Sequence, residues 1–296
     1  MDIQTLAQKS EPLARTLEDL KQSADTSQSR VYVLKHLAPT SFESTVYTPF
    51  LCLIVRGKKE LLIGGSSIFM DPGQSLVLCH DLPVVARIKQ ASANKPYLAL
   101  IMQIDMNLIR SLYNEIGDTQ AGDRPSSPLA VSAVDYPLLD ALSRYLDLAD
   151  KPADATVLGP MIIREIHFRL LMAPNGGMLR QMLSRDSHAS RISKAIDVIR
   201  QDFRNPLTIN DLSKAAHMSA SSFHEHFKSV TGTTPLQYQK DLRLIEAKAL
   251  LADGRHSVST IAYDVGYESA SQFSREFTRK FGAPPSEAVG RPLVEV

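Results

Sequence analysis

The chain has little of what would mark it as secreted, metal-bound or membrane-spanning. It holds two cysteines among 296 residues, Cys52 and Cys79. Neither belongs to a CxxC pair, so a zinc finger and a disulfide framework are excluded. No run approaches ~18 consecutive apolar residues, which leaves no transmembrane helix and no expected membrane partner. The opening MDIQTLAQKSEPLARTLEDLKQ mixes acids, bases and amides without an apolar segment. It does not read as a signal peptide, and the expected location is the cytoplasm. Charge of one sign is also missing: the net is +1, made of −1 over residues 1–187 and +2 over 188–296. Charge alone therefore does not point to nucleic acid. The β-rich region offers His36 and His80, with Glu43 and no HxH pair, so neither a metal nor a cofactor is expected.

What is present falls into four regions, with boundaries at 1–28, 29–104, 105–187 and 188–296. Ile3, Leu6, Leu13, Leu17 and Leu20 space the apolar stripe of an amphipathic helix over about 3–22. From 31 to 104 short apolar runs are broken by turn signals: RVYVLKHL, FLCLIVRG, KELLI, SSIFM, SLVLCH, PVVARIKQ and PYLALIMQI, with Gly64-Gly65, Pro72-Gly73 and Pro83 between them. Short strands at such spacing predict a β-sandwich or small barrel. At Asp105, a candidate N-cap, the period turns helical. After a loop at 117–128, two helical stripes follow. One is Leu138, Leu139, Leu142 and Leu146; the other is Met161, Ile162, Ile166 and Leu170. Such stripes need a partner, either the β-region or a second subunit, and a homodimer is the expectation. The polar SRDSHAS, residues 184–190, reads as a linker.

The C-terminal region carries an internal repeat. Residues 207–235 and 257–285 align Ile209 with Val258 and Leu212 with Ile261 at an offset of 49. Phe223 with Phe273, Phe227 with Phe277, Gly232 with Gly282 and Pro235 with Pro285 then align at 50, one inserted residue, Glu268, making the difference. Each copy has the grammar of a helix-turn-helix. Thr208 caps a short helix and Ser219 a second one with Phe223 and Phe227 inward. In the other copy Ser257 or Ser259 caps the first helix, Gly266 supplies the turn, and Ser269 caps the second. His217 stands where the second copy has Gly266. The second helices leave Ser221, Ser222, His224 and Glu225 outward in one copy, and Ser271, Gln272, Ser274 and Arg275 in the other. Glutamine bonds adenine twice and arginine grips guanine O6 and N7, so these faces suit the major groove. Ser219 and Ser269 at helix starts, with Lys228, Arg279 and Lys280, suit phosphates. The intervening PLQYQKDLRLIEAKALLAD, 235–253, is amphipathic through Leu236, Tyr238, Leu242, Ile245, Ala249 and Leu250. Roughly 17 helical residues span about 25 Å, fitting entry into successive grooves about 34 Å apart.

Here the text becomes specific. MSxSxFHxxFK from Met218 to Lys228, TGTTPLQYQKDLRL from Thr231, IAYDVGYESASQFSREFTRKFG over 261–282, and Pro284-Pro285 together resemble the DNA-binding domain of the AraC/XylS family. The resemblance implies that Ser221, His224 and Glu225 meet bases in the first unit, and Ser271, Gln272 and Arg275 in the second. Glu225 departs from it, standing where relatives often carry arginine. YTPFLCLIVRGKKELLIGG, MDPGQSLVLCHDLPV and KPYLALIMQIDMNLI resemble the N-terminal region of one AraC subgroup. That resemblance implies a cupin-like effector domain followed by dimerising helices.

The expected fold class is therefore α+β: an N-terminal cupin-like β-barrel with a helical dimerisation region, then an all-α double helix-turn-helix domain. The expected function is a sequence-specific transcription regulator, not an enzyme. Its expected partners are double-stranded promoter or operator DNA, a small-molecule effector, a second copy and RNA polymerase. A cupin-type isomerase or oxygenase tethered to DNA, and an architectural DNA binder without ligand, are the alternatives. Three side readings remain. Cys79 beside His80, and Cys52, are candidate thiol sensors, with buried small hydrophobes the blander reading. His167 reads as a packed, satisfied histidine. Arg56, Lys58 and Lys59 read as a solvated turn, with an acidic effector the sharper alternative.

Overall fold

Strands form over the short apolar runs, and two more form where no such run marks them. The structure, a computed structural model, describes residues 2–16, 31–63, 66–117, 130–173, 176–184 and 187–290. Its strands are β1 (Val31–His36), β2 (Glu43–Tyr47), β3 (Phe50–Arg56), β4 (Lys58–Ile63), β5 (Ser66–Met70), β6 (Gln74–Leu78), β7 (Leu82–Gln90), β8 (Tyr97–Gln103) and β9 (Ala130–Ala133). They pair antiparallel in two sheets, ordered β1-β8-β3-β6-β9 and β2-β7-β4-β5. Residues of like parity share a face: Lys59 and Leu61 of β4 sit opposite Met70 and Ile68 of β5, and Tyr97, Ala99 and Ile101 of β8 opposite His36, Leu34 and Tyr32 of β1. The cupin-like barrel is thus two apolar-faced sheets rather than one closed ring. Two strands escaped the sequence reading, because ESTVY in β2 is polar and half-buried throughout and AVSA in β9 is short. β9 pairs with β6, so residues beyond 104 complete the sheet.

The N-terminal helix, α1 (Ile3–Ser10), is shorter than expected. Glu11–Leu13 turns into a 3-10 segment at Pro12, whose ring forbids the continuing helix bond. Leu17 and Leu20, and the rest of the expected arm to residue 28, lie outside the described residues. So do Gly64-Gly65, positions 118–128 of the expected loop, and residues 185–186 of the linker.

Helices α2 (Met106–Ile116), α3 (Tyr136–Leu146), α4 (Pro152–Met172) and α5 (Gly177–Leu183) follow. Asp105 caps α2 as expected, accepting from the amides of Asn107 at 3.0 Å and Leu108 at 3.1 Å. The two stripes do not wait for a second subunit. Leu138, Leu142, Ile162, Ile166 and Leu170 are buried within the chain's own core, with α3 packed on α4. Met161 is displaced from its expected stripe and is 64% exposed; Ile163 is buried in that stripe instead. His167 takes the packing role: its Nδ1 donates to the Ile163 carbonyl at 2.8 Å, and its Nε2 accepts from the Asp105 amide at 3.0 Å.

The last three residues of the expected linker, 188–190, already belong to a helix. Ser187 caps α6 (His188–Asp202) by accepting from Ser190 N at 3.0 Å. Then come α7 (Ile209–Ala215), α8 (Ala220–Thr231), α9 (Pro235–Asp253), α10 (Val258–Asp264) and α11 (Ala270–Phe281). One apolar core runs from the sheets through α3, α4 and α6 into α8 and the first half of α9. Leu244, Ala247 and Leu251 of α9 belong to a second core with Ile261, Phe273 and Phe277. Serving two cores, α9 buries Tyr238, Leu242, Leu244, Ala247 and Leu251, whereas Leu236 is exposed and Ile245, Ala249 and Leu250 are not among its buried residues. A single stripe was the wrong expectation for that helix. Among the described residues no helix is long and apolar enough to cross a membrane.

Candidate nucleic-acid interface

The two reader units are built by the same local chemistry. Thr208 caps α7 by accepting from Asp211 N at 3.1 Å, and Ser219 caps α8 by accepting from Ser222 N at 3.3 Å. Ser257, rather than Ser259, caps α10 from Thr260 N at 3.1 Å, and Ser269 caps α11 from Gln272 N at 3.4 Å. A capping hydroxyl uses its lone pairs, so its O–H can still donate to a phosphate oxygen. The chain turns between the helices at His217, with φ +51°, and at Gly266, with φ +92°. Phe223, Phe227, Phe273 and Phe277 are buried at i and i+4, each contributing about 1.5–3 kcal/mol of apolar burial. They fix which side of α8 and α11 faces out.

On the outer side of α8, Ser221, His224, Glu225 and Lys228 are exposed and Ser222 is half-buried. On α11, Ser271, Gln272, Arg275 and Arg279 are exposed. Two expected contacts are otherwise engaged. Ser274 is half-buried and donates to the Ala270 carbonyl at 2.9 Å. Lys280 pairs with Asp241 at 2.6 Å with little exposure, so it is no phosphate ligand. Gln272 donates to Glu276 at 3.2 Å, an exposed bond it can exchange for a base. Glu276 is anchored by Lys240 at 3.0 Å and the Tyr267 hydroxyl at 2.9 Å. Burial works to raise its pKa, and those donors overcome that, so the carboxylate stays ionised.

The units are joined by more than a helix. Arg243 of α9 donates to the carbonyls of Phe203 (2.6 Å), Asn205 (3.0 Å) and Arg204 (3.2 Å) ahead of the first unit, and to Gly266 (2.7 Å) in the turn of the second. Gln239 adds bonds to Phe203 and Asn205 at 3.0 and 2.8 Å. A guanidinium holding four carbonyls fixes the angle between the readers. The 19 residues of α9 set them apart by about 28 Å of helix.

The first unit also docks on the β-sandwich, through the corner between β6 and β7. His80 Nε2 bonds to the Val230 carbonyl of α8 at 2.9 Å. The Asp81 carboxylate pairs with Arg200 of α6, and its carbonyl accepts from the Tyr238 hydroxyl of α9 at 2.6 Å. Burial pushes the His80 pKa down to about 4, against a smaller pull from the Val230 carbonyl. That favours the neutral ring, whose single N–H faces the Val230 carbonyl from Nε2 or the Asp81 carbonyl from Nδ1, each at 2.9 Å. Further out, Lys248 of α9 pairs with Glu43 of β2. Sequence reasoning missed this corner, because its partners are backbone carbonyls or residues such as Tyr238, 157 positions from Asp81.

A neutral His80 corrects the thiol reading. It cannot act on Cys79 as an imidazolium, and burial pushes the Cys79 thiol far up. Cys52 is likewise 1% exposed with its pKa raised by burial. Both are protonated, buried hydrophobes. The basic turn divides: Arg56 pairs with Glu11 at 2.9 Å and Lys58 with Asp71 at 2.9 Å, while Lys59 is 3% exposed and no part of a solvated turn. Among the described residues no group of three or more metal-binding side chains gathers.

Residues 28–178 match the family described as AraC-type transcriptional regulator N-terminus, and 212–291 match a helix-turn-helix domain. The RCS-specific HTH-type transcriptional activator RclR of Escherichia coli (strain K12) is 36% identical over 119 residues, which are 40% of this chain and 36% of that protein. The chain thus aligns with about a third of RclR's length. The probable transcriptional regulator LumQ of Photobacterium leiognathi is 25% identical over 80% of this chain and 88% of LumQ. The crystal structure of unsaturated fatty acid bound wild-type ToxT from Vibrio cholerae covers 87% of this chain and 92% of that one, with a TM-score of 0.54 at 16% identity. That likeness is one of fold.

Proposed function

This chain belongs to the AraC-type transcriptional regulators, and on that premise we propose which residues read DNA and what biases them. It is a DNA-binding transcription regulator of a non-enzymatic family. In our reading Ser221, Ser222, His224 and Glu225 of α8, and Ser271, Gln272 and Arg275 of α11, face base edges. Ser219, Ser269, Lys228 and Arg279 hold phosphates. The observation that carries this is the repeated pair of capped helices with polar outer faces, locked together through Arg243. ToxT is described with an unsaturated fatty acid bound. By analogy a small-molecule effector in the β-sandwich shifts the His80-Asp81 corner, and with it the first reader, between two positions. The chain works in the cytoplasm beside RNA polymerase. Selection of bound duplexes from a random pool tests the reading: wild type enriches a motif with two blocks, and Arg275→Ala loses information in one of them. Enrichment of no motif would contradict it.

The homodimer belongs to the same proposal, on a new surface. With the expected stripes buried, Val157, Leu158 and Met161 remain exposed on α4, at 65%, 42% and 64%, and a two-fold copy covers them. Val157→Glu with Met161→Glu then sediments as a folded monomer, whereas Leu142→Glu unfolds the chain. A dimer unchanged by the α4 pair would contradict this surface.

A further inference from the structure

Lys59 is the one buried residue of the Arg56–Lys59 turn that its neighbours do not explain. It lies in register with Met70 and Ile88, both fully buried, so its side chain points between the sheets. There its Nζ donates to the Tyr47 hydroxyl at 2.9 Å and lies over that ring at 5.1 Å. No carboxylate pairs with it among the described residues. Burial, the largest single cause, works to lower its pKa, and the Tyr47 hydroxyl it bonds works to raise it. A buried ammonium with one of three N–H groups bonded costs several kcal/mol.

Two more polar groups are left over beside it. On the facing sheet Tyr97 is fully buried, with the Cys52 thiol beside it as a weak hydrogen-bonding partner, and its hydroxyl meets no other partner among the described residues. His36, opposite Tyr97 in the β1–β8 register, stands edge-on to that ring at 6.0 Å. Its buried Nε2 is also without a partner. Burial first, and the charge of Lys59 second, lower the His36 pKa, which keeps the ring neutral. Buried polar groups are nearly always satisfied. A cation, a phenol and an imidazole only partly satisfied within one apolar interior are complementary to an acceptor of single negative charge.

We propose that the β-sandwich binds a monocarboxylate, its carboxylate held by Lys59 with the Tyr97 hydroxyl and His36 beside it. This rests on the reading that the sandwich senses a small molecule. One cation matches one negative charge, whereas a phosphate dianion would leave a charge uncompensated. Ile54, Leu61 and Met70 are fully buried in the same core, so the interior around that carboxylate is apolar.

The test uses the full chain. Without ligand, Lys59→Met and Tyr97→Phe each remove an only partly satisfied polar group at nearly constant volume, and should raise Tm by about 2–4 °C. A group kept for the fold would lower Tm instead, and a fall in both variants overturns the site. Benzoate and octanoate should then raise the wild-type Tm while benzamide and octanamide do not, and both variants should lose that shift. A carboxylate shift that survives Lys59→Met overturns the site, as does an equal shift from the amides, or none from any probe. A low-molecular-mass extract of the host cell separates the two readings. If it changes DNA affinity of wild type and Lys59→Met alike, sensing stands and this site fails. If it changes neither, the sensing reading fails.

Discussion

The Tyr238 hydroxyl donates to the Asp81 carbonyl at 2.6 Å, tying the helix between the two helix-turn-helix units to a corner of the β-sandwich. The same corner carries the His80 bond to Val230 and the Asp81 pair with Arg200. Two residues thus contact α6, α8 and α9, the helices that frame the first reader, while the second reader has its own core.

His80 makes this docking sensitive to acid. Its pKa is about 4 in the folded chain against ~6.5 unfolded. The neutral ring's contribution is complete above pH ~6.5 and is lost progressively toward pH 4, as the unfolded chain takes up the proton first. The total is on the order of 3 kcal/mol. His80→Gln lacks the titration, so the stability gap between wild type and variant should close over that window in urea titrations. Parallel pH profiles would show that the ring is not held neutral.

The two turn residues predict opposite tolerances. At Gly266 an added Cβ would lie 1.9 Å from the Arg204 carbonyl oxygen, with φ already at +92°. Gly266→Ala should therefore cost more than ~2 kcal/mol, measured by thermal unfolding. His217 already bears a Cβ at φ +51°. His217→Gly relieves that conformation and gains backbone freedom when unfolded, leaving a change within ~1 kcal/mol.

Much of this was legible in the sequence, and what was not has a physical cause. Capping hydroxyls, the i, i+4 phenylalanines and the turn glycine act over a few residues, so the reader units could be read from spacing. The α3 and α4 stripes were read correctly as apolar, Met161 apart, but spacing cannot say what covers them, and the chain covers them itself. α9 misled because Tyr238 and Leu251 face different cores. Lys59 looked solvated because a hairpin with three bases usually is. Only the register with Met70 and Ile88 turns it inward.

The outer faces predict an asymmetric pair of readers. Arg275→Ala should cost ~1–3 kcal/mol and relax preference at one or two bases. Lys228→Ala should weaken binding to all sequences and flatten the salt dependence. Glu225→Arg separates repulsion from recognition. Tighter binding to every duplex means Glu225 repels phosphate, the outcome expected here, and a loss at one base pair means it accepts from cytosine. Titrations of the selected site and a scrambled duplex at two salt concentrations distinguish all three.

The central claim is that one chain places two helices in successive major grooves on one face of DNA. Methylation protection of guanine N7 on the selected site measures this directly. Wild type should protect two clusters about one helical turn, ~10 base pairs, apart, and Arg275→Ala should expose only one of them. A single protected cluster in wild type, or the loss of both in Arg275→Ala, would contradict the account.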